Sequence, residues 1–150
     1  MEEGINKNMI DISKDNVDAS SYQPLILAYM GDAVYEVYIR EMLIKRKKVS
    51  VHKLHVLSIK YVKASEQSFI LHELLEELAQ DELEVVKRGR NAKSATIPKN
   101  AKVSDYRYAT GFEALIGYLY LNNNKDRLEE IVERAIDIVD KKMLKDVEKS

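Results

Sequence analysis

The sequence predicts an all-α fold, and three observations support this. Only five glycines and two prolines occur in 150 residues, too few for many strands joined by tight turns. Apolar residues recur at steps of three and four, as in a helix with one buried face. The clearest run is Leu128, Ile131, Val132, Ala135, Ile136, Val139 and Met143. We therefore expect six or seven helices and no strand.

The first predicted helices follow a polar N-terminal segment, residues 1–20, which we expect to be loosely held. The next helix covers residues 24 to about 46 and begins at a proline, which suits the first turn of a helix. Ser50 is placed to cap the helix over residues 51–62 through its hydroxyl group. These elements begin a single domain, predicted to cover residues 21–146.

The remaining helix starts are predicted from polar residues that precede apolar runs. Asp81, with Glu84 three residues later, marks one start. Residues 91–103 contain a proline and small polar side chains without a helical period, so they predict a loop. Ser104 is placed to cap the helix that ends near residue 121, and Asp126 to cap the last helix.

Composition excludes several classes of site. The chain has no cysteine, so it cannot form disulfides, zinc–thiolate sites or a thiol nucleophile. The start of the sequence is acidic and no long apolar run is free of charge, so we expect a cytoplasmic protein with no membrane association. A net charge of −1 does not by itself indicate a nucleic-acid-binding protein.

Two segments, residues 24–46 and 112–121, are apolar on nearly all faces, which is typical of central or interface helices. Each contains a carboxylate, Asp32 in the first and Glu113 in the second. Glycines lie close to both carboxylates: Gly31, Gly111 and Gly117. Because a helical glycine is disfavoured by about 1 kcal/mol relative to alanine, we expect these positions to let another backbone or a ligand come close.

A carboxylate in an apolar helix needs a partner that offsets its desolvation. Asp32 and Glu113 could share a divalent cation such as magnesium, with water and substrate phosphate in the other positions. Alternatively, they could form structural salt bridges with Arg40 or Arg107. Glu36 lies one turn after Asp32, and we expect it to reach solvent or Arg40 rather than a metal.

Basic residues are concentrated in two segments, although the net charge is close to zero. Residues 87–107 contain seven basic residues and one acid, and residues 40–63 contain eight and one. Residues 64–86 contain seven acids and no lysine or arginine. Such segregation can form a phosphate-binding face. His52 and His55 lie among the lysines of the second segment, which would repel a metal ion, and His72 is predicted to be an ordinary surface or core residue.

Three segments together resemble a known family. Residues 28–34, Ala-Tyr-Met-Gly-Asp-Ala-Val, are similar to the first catalytic helix of the ribonuclease III domain, and residues 112–117, Phe-Glu-Ala-Leu-Ile-Gly, to its second catalytic segment. Residues 87–91, Lys-Arg-Gly-Arg-Asn, are similar to the basic turn between them. The resemblance covers about residues 24–124 and is closest to the Mini-ribonuclease III branch, in which the catalytic domain lacks a following double-stranded-RNA-binding domain.

The resemblance implies a helical homodimer that hydrolyses both strands of double-stranded RNA with Mg²⁺, for which Mn²⁺ can substitute. By position, Asp32 and Glu113 are the catalytic, metal-holding carboxylates. For this branch the expected substrate is the stem of precursor 23S ribosomal RNA, shaped in some cases by a ribosomal protein. From the length of 150 residues we expect no RNA-binding domain beyond the catalytic one.

The catalytic domain is then expected to bind RNA without a separate RNA-binding domain. We predict that the first basic segment does so, with residues 40–63 a weaker second surface. The predicted RNA-binding residues are Lys87, Arg88, Arg90, Lys93, Lys99, Lys102 and Arg107.

The sequence departs from the full-length pattern at three carboxylate positions, which here are Leu25, Ala28 and Thr110. Thr110 lies one turn before Glu113, and we hypothesise that it holds a metal-bound water. The number of ions stays open. Two alternatives to a nuclease also stay open: a non-catalytic RNA-binding or ribosome-associated module of the same fold, and a helical interaction protein without an RNA role.

Overall fold

The computed structural model describes residues 18–93 and 102–149, and within them the fold is all-α, as predicted. These residues form six α-helices and two short 3₁₀ turns, of which Ala19–Ser21 precedes the first helix and Leu75–Glu77 follows the third. The helices are α1 (Pro24–Arg46), α2 (Val51–Val62), α3 (Ala64–Leu74), α4 (Gln80–Asn91), α5 (Val103–Leu121) and α6 (Lys125–Lys149).

Helix α5 is the centre of the fold. It packs against α1, α3 and α4, and most of its residues from Ala109 to Leu119 are buried. On α1, Tyr35 is fully buried and meets Phe112 of α5 edge to face, with the ring centroids 5.0 Å apart. The sequence predicts that both apolar helices lie at the centre of the fold or in an interface, and α5 is indeed buried at the centre. Helix α1 buries one face and leaves apolar side chains of the other face exposed.

The backbones of α1 and α5 lie so close together at Gly31 and Gly117 that there is no space for a side chain at either position. A Cβ atom added at Gly31 would overlap the backbone carbonyl of Glu113, and one at Gly117 would overlap that of Leu27. The prediction that glycines here allow another backbone to come close is confirmed at both positions. This contact sets where Asp32 and Glu113 lie.

One of the predicted helix caps is confirmed and three are wrong. The Ser50 hydroxyl accepts a hydrogen bond from the backbone N–H of Lys53 at 3.2 Å. Ser104, Asp81 and Asp126 instead lie inside the first turns of α5, α4 and α6. In each case the helix begins earlier than the polar residue indicates, because the preceding residues also take part in the first turn.

The acidic residues 64–86 lie against the last helix, and three of them pair with its basic side chains. Glu82 is buried and is held by Arg127 at 2.9 Å. Burial alone would raise the pKa of Glu82, but hydrogen bonds from Arg127 and from the Ala79 N–H lower it overall. Glu66 pairs with Lys142 and Glu77 with Arg134. Three of the seven acidic residues of this segment are thus paired within the fold.

Candidate active site

Asp32 on α1 and Glu113 on α5 lie together where the two helices cross. The two side chains are close enough for Asp32 to raise the pKa of the Glu113 carboxyl group. Asp32 is exposed, and Glu113 is half-buried behind it. No ion pair within residues 18–93 and 102–149 includes either carboxylate. The structural salt-bridge alternative therefore finds no support in this part of the chain.

Burial raises the pKa of Glu113 to about 8. The neighbouring Asp32 acts in the same direction, because two carboxylates this close do not readily ionise together. The Gln67 side chain acts the other way and lowers the pKa. In the absence of a cation, the pair therefore holds a proton at neutral pH.

Gln67 on α3 is the third side chain of the site, and the sequence reasoning missed it. Gln67 is only 2% exposed, and its Nε2 donates to the backbone carbonyl of Val62 at 3.0 Å. Its Oε1 is buried and has no hydrogen-bond partner among residues 18–93 and 102–149. The sequence does indicate that Gln67 is buried, through its spacing. Gln67 lies three, four and seven residues before the buried Ile70, Leu71 and Leu74, which is a core position of the helix.

These three side chains fit a divalent cation that keeps much of its water. Within the described residues no group of three or more His, Asp or Glu side chains could enclose a metal ion. Magnesium, however, is usually held by one or two carboxylates together with several waters. Asp32 and Glu113 supply two carboxylates, and the unpartnered Oε1 of Gln67 supplies an acceptor for a water.

We expect divalent-ion affinity to rise with pH and to level off above about pH 8. Below the raised pKa of Glu113 an incoming ion must displace a proton, whereas above it the carboxylate is already ionised. Calorimetric titration with Mn²⁺ between about pH 6 and about pH 9 measures this. Glu113→Gln is the control, which should bind weakly with little pH dependence. An affinity of the native chain that does not change with pH would contradict the expectation.

The same shift has a consequence for the ion-free fold. Between the ordinary pKa of glutamate, 4.5, and about 8, the folded protein holds a proton that the unfolded chain has released. Stability without metal therefore falls as the pH rises through this window.

Residues near the site that do not reach the carboxylate pair have other partners. Glu36 pairs with Arg40, Oε2 to Nε 3.1 Å, as expected. Nδ1 of His72 lies 2.7 Å from the Ser68 carbonyl, and its ring stacks on Tyr108. His52 and His55 are exposed on α2. The Thr110 hydroxyl donates to the Tyr106 carbonyl one turn earlier, at 2.9 Å, which leaves its oxygen free only as an acceptor.

The predicted RNA-binding residues lie at the end of α4 and at the start of α5. Lys87, Lys93, Lys102 and Arg107 are exposed. The Arg90 guanidinium lies over the Tyr108 ring, 5.8 Å from its centroid, and Nε donates to Asn91. Lys99 lies outside the described residues.

Arg88 holds the N-terminal turn against α4. One guanidinium nitrogen donates to the Ser20 carbonyl at 2.9 Å and the other to the Tyr22 carbonyl at 3.0 Å. The predicted domain boundary at residue 21 falls within this turn, whose Ala19 is fully buried. Replacing Arg88 would therefore disturb packing as well as charge.

The second basic segment is partly neutralised. Arg40 pairs with Glu36, Lys45 with Glu41, and Arg46 with Asp140.

Among the helices of the described residues, none has both the length and the apolarity that a membrane span requires.

Comparison with known proteins places this arrangement in a family. The model of the Ribonuclease III domain matches residues 25–124. Mini-ribonuclease 3 of Clostridium tetani is 52% identical over 122 residues, which are 81% of this chain and 81% of the relative. Mini-ribonuclease 3 of Symbiobacterium thermophilum is 48% identical over 118 residues, or 79% and 91%. That of Brevibacillus brevis is 48% identical over 123 residues, or 82% and 92%.

A solved structure agrees with the sequence comparison. The crystal structure of a Fusobacterium nucleatum protein superposes with a TM-score of 0.72 at 30% identity, and the match covers 80% of this chain and 96% of the other. Both catalytic segments predicted from the sequence fall inside the matched domain. The crossing of α1 and α5 that joins Asp32 to Glu113 is thus part of a shared domain, and the chain belongs to the ribonuclease III family, in its Mini-ribonuclease 3 branch.

Proposed function

We propose that this chain, a double-strand-specific endoribonuclease of the ribonuclease III type, works with a divalent cation held by Asp32 and Glu113. One observation carries the proposal: the carboxyl groups of Asp32 and Glu113 lie close together at the crossing of the central helices, and no ion pair among residues 18–93 and 102–149 includes either of them. Like charges this close are unfavourable unless a proton or a cation lies between them. Mg²⁺ is the physiological candidate, and Mn²⁺, which also accepts carboxylate and water ligands, can substitute.

Each residue then has a defined part in hydrolysis. When bound, the ion supplies an activated water and offsets negative charge on the scissile phosphate. Asp32, which is exposed, and Glu113, which is half-buried, would hold the ion. The Thr110 hydroxyl donates its hydrogen to the Tyr106 carbonyl, so its oxygen can still accept a hydrogen bond. We keep the hypothesis that this oxygen accepts one from a metal-bound water.

The proposed substrate is the double-stranded stem of precursor 23S ribosomal RNA, cut in the cytoplasm. Membership of the Mini-ribonuclease 3 branch supports this choice. A ribosomal protein that shapes the stem is part of the same proposal. A-form RNA is recognised mainly by its shape, phosphates and 2′-hydroxyls, which suits a surface of exposed lysine and arginine.

The RNA surface we propose consists of the exposed basic residues at the end of α4 and the start of α5, together with Arg90. Lys99 belongs to the same proposal but lies outside the described residues. We expect the triple variant Lys93→Ala, Lys102→Ala, Arg107→Ala to bind duplex RNA more weakly. The log–log slope of its salt dependence should fall by about 1 for each phosphate that the variant no longer neutralises. Fluorescence anisotropy across a salt series measures both quantities. Lys145→Ala, on α6 outside both basic segments, is the control and should keep the native slope. An unchanged slope in the triple variant would rule out this surface.

We also propose that the chain works as a homodimer through the exposed face of α1. This dimer stripe consists of Ile26, Tyr29, Ala33 and Val37, which recur at steps of three and four. Tyr29 is 82% exposed and Val37 64%, and contiguous apolar surface of this kind marks interaction sites. Asp32 adjoins the stripe, so a second copy seated on it would bring two active sites to one RNA duplex, one for each strand.

A single charge in the dimer stripe is expected to separate the subunits. Val37→Asp should give a monomer at micromolar concentrations, because it would bury an unpaired carboxylate in the interface. Leu144→Asp is a matched control, since Leu144 is also 64% exposed but lies on α6. Light scattering after size-exclusion chromatography distinguishes the two. A native chain that is already monomeric, or a dimeric Val37→Asp variant, would contradict the proposed interface.

The direct test of the activity is a labelled RNA duplex incubated with the protein in Mg²⁺ and then in EDTA. Cleavage in Mg²⁺ that stops in EDTA, leaving 5′-phosphate and 3′-hydroxyl ends, supports the proposal. A non-catalytic RNA-binding module is the second candidate, favoured by the absence of carboxylates at Leu25, Ala28 and Thr110. Binding without cleavage would establish that alternative and overturn the first.

A further inference from the structure

The buried oxygen of Gln67 has no partner among the described residues. A buried acceptor without a hydrogen bond is unfavourable, and native proteins leave few such atoms. Gln67 is nevertheless 2% exposed in a helix that packs on α5. An apolar residue would fill this core position without that penalty, so the amide needs another explanation.

The orientation of the Gln67 amide is determined by its neighbours. Nε2 donates to the Val62 carbonyl at 3.0 Å. Turning the amide over would place Oε1 against that carbonyl oxygen, and two acceptors cannot bond to each other. Val62 therefore anchors the nitrogen, and Oε1 is left as the open end of the side chain.

The same amide also lies against the active site. The Gln67 side chain lies close enough to Glu113 to lower the pKa of that carboxyl group and favour its ionised form. The unpartnered Oε1 thus belongs to a group already in contact with one of the two proposed metal-holding carboxylates. No other side-chain polar atom among the described residues is both buried and unpartnered.

An acceptor at this position suits one kind of partner. With two carboxylates on a divalent ion, water fills other coordination positions, and a coordinated water is a hydrogen-bond donor. A phosphate oxygen of the RNA backbone cannot donate, so it cannot satisfy Oε1. Partners of the ligands and waters around a metal orient them, and their removal typically weakens metal binding about 10- to 100-fold.

We propose that Gln67 is a positioning residue of the ion site: Nε2 anchors it to Val62, and Oε1 accepts a hydrogen bond from a water bound to the ion. This inference rests on the proposed function, because it requires an ion at Asp32 and Glu113. Gln67 does not touch the reacting atoms; it acts through Glu113 and the coordinated water.

Two substitutions separate this role from simple packing. Gln67→Met keeps the volume and removes both the donor and the acceptor, whereas Gln67→Glu removes the donor to Val62 but keeps an acceptor oxygen. If Gln67 only formed its hydrogen bond to Val62, Gln67→Met would lose that bond without losing ion affinity. If Oε1 holds a coordinated water, Gln67→Glu retains ion binding and Gln67→Met does not.

The test is Mn²⁺ titration of the RNA-free protein, followed by the electron paramagnetic resonance of free Mn²⁺. We expect Gln67→Met to weaken binding about tenfold and Gln67→Glu to bind at least as well as the native chain. Ser68→Ala, the adjacent buried residue, should leave the affinity unchanged. Thermal unfolding without metal should show losses for both Gln67 variants, since both lose the bond to Val62, and a larger loss for Gln67→Glu, which buries a further carboxyl group beside Glu113.

The outcomes distinguish this inference from the function on which it rests. The role of Gln67 is wrong if Gln67→Met binds Mn²⁺ with native affinity, or if Gln67→Met and Gln67→Glu weaken binding equally. In either case, loss of Mn²⁺ binding in Asp32→Asn would still support the ion site. Native affinity in Asp32→Asn overturns the ion site itself, and the role of Gln67 with it.

Discussion

Asp32→Asn is expected to lower the rate of duplex RNA cleavage by at least about 10³-fold, equivalent to about 4 kcal/mol of transition-state stabilisation. The substitution removes one of the two carboxylates that we propose hold the ion. An amide oxygen is a neutral ligand, so it offsets the charge of a divalent cation poorly. Single-turnover cleavage of a labelled duplex in saturating Mg²⁺ measures the loss.

The fold should survive this change. Asp32 raises the pKa of Glu113, so Asn at this position relieves a repulsion. We expect the variant to unfold at the native temperature or above it, and to retain RNA binding. Glu36→Gln is the matched control on the same helix, because Glu36 pairs with Arg40 outside the site. Full activity in Asp32→Asn, or equal loss in Glu36→Gln, would contradict the assignment.

Gly31→Ala is expected to destabilise the protein by about 3 kcal/mol and to abolish activity. Helix propensity alone predicts the opposite sign, a gain of about 1 kcal/mol. The added Cβ would overlap the Glu113 carbonyl, and this atom belongs to a helix backbone that cannot move aside alone. The helices must separate, which opens the core and moves the two carboxylates apart.

Chemical denaturation measures the sign of this effect. A lower midpoint with an unchanged slope is the expected result for Gly31→Ala. Activity should remain lost at temperatures where the variant is still folded, because the carboxylate pair is displaced. A stabilised variant would show that the close approach of α1 and α5 is not required.

Much of the fold could be predicted because its signals are local. Helical spacing of apolar residues predicted α6, and scarcity of glycine and proline predicted the absence of strands, which holds throughout residues 18–93 and 102–149. The glycines beside Asp32 and Glu113 were informative because a helix contains them only where a neighbour requires it. The Ser50 cap was correct because its hydroxyl lies directly before the first turn of α2.

The parts that the sequence missed depend on distant contacts. Arg88 lies in a basic run that predicts a phosphate contact. Its Nη1 and Nη2 instead donate to carbonyls of the N-terminal turn, more than sixty residues away in the sequence. Gln67 has a polar side chain in a core pattern, but only the packing of α3 on α5 places it at Glu113. The acidic segment was predicted as a separate charge feature, and pairing with α6 gives it a structural role.

The measurement that tests the central claim most directly is anomalous X-ray diffraction from crystals grown with Mn²⁺. The claim is that Asp32 and Glu113 together hold a divalent cation where α1 and α5 cross. We expect an anomalous peak coordinated by carboxylate oxygens of both residues, with waters completing the shell. Mn²⁺ bound only elsewhere, with no ion at the two carboxyl groups, would contradict the account.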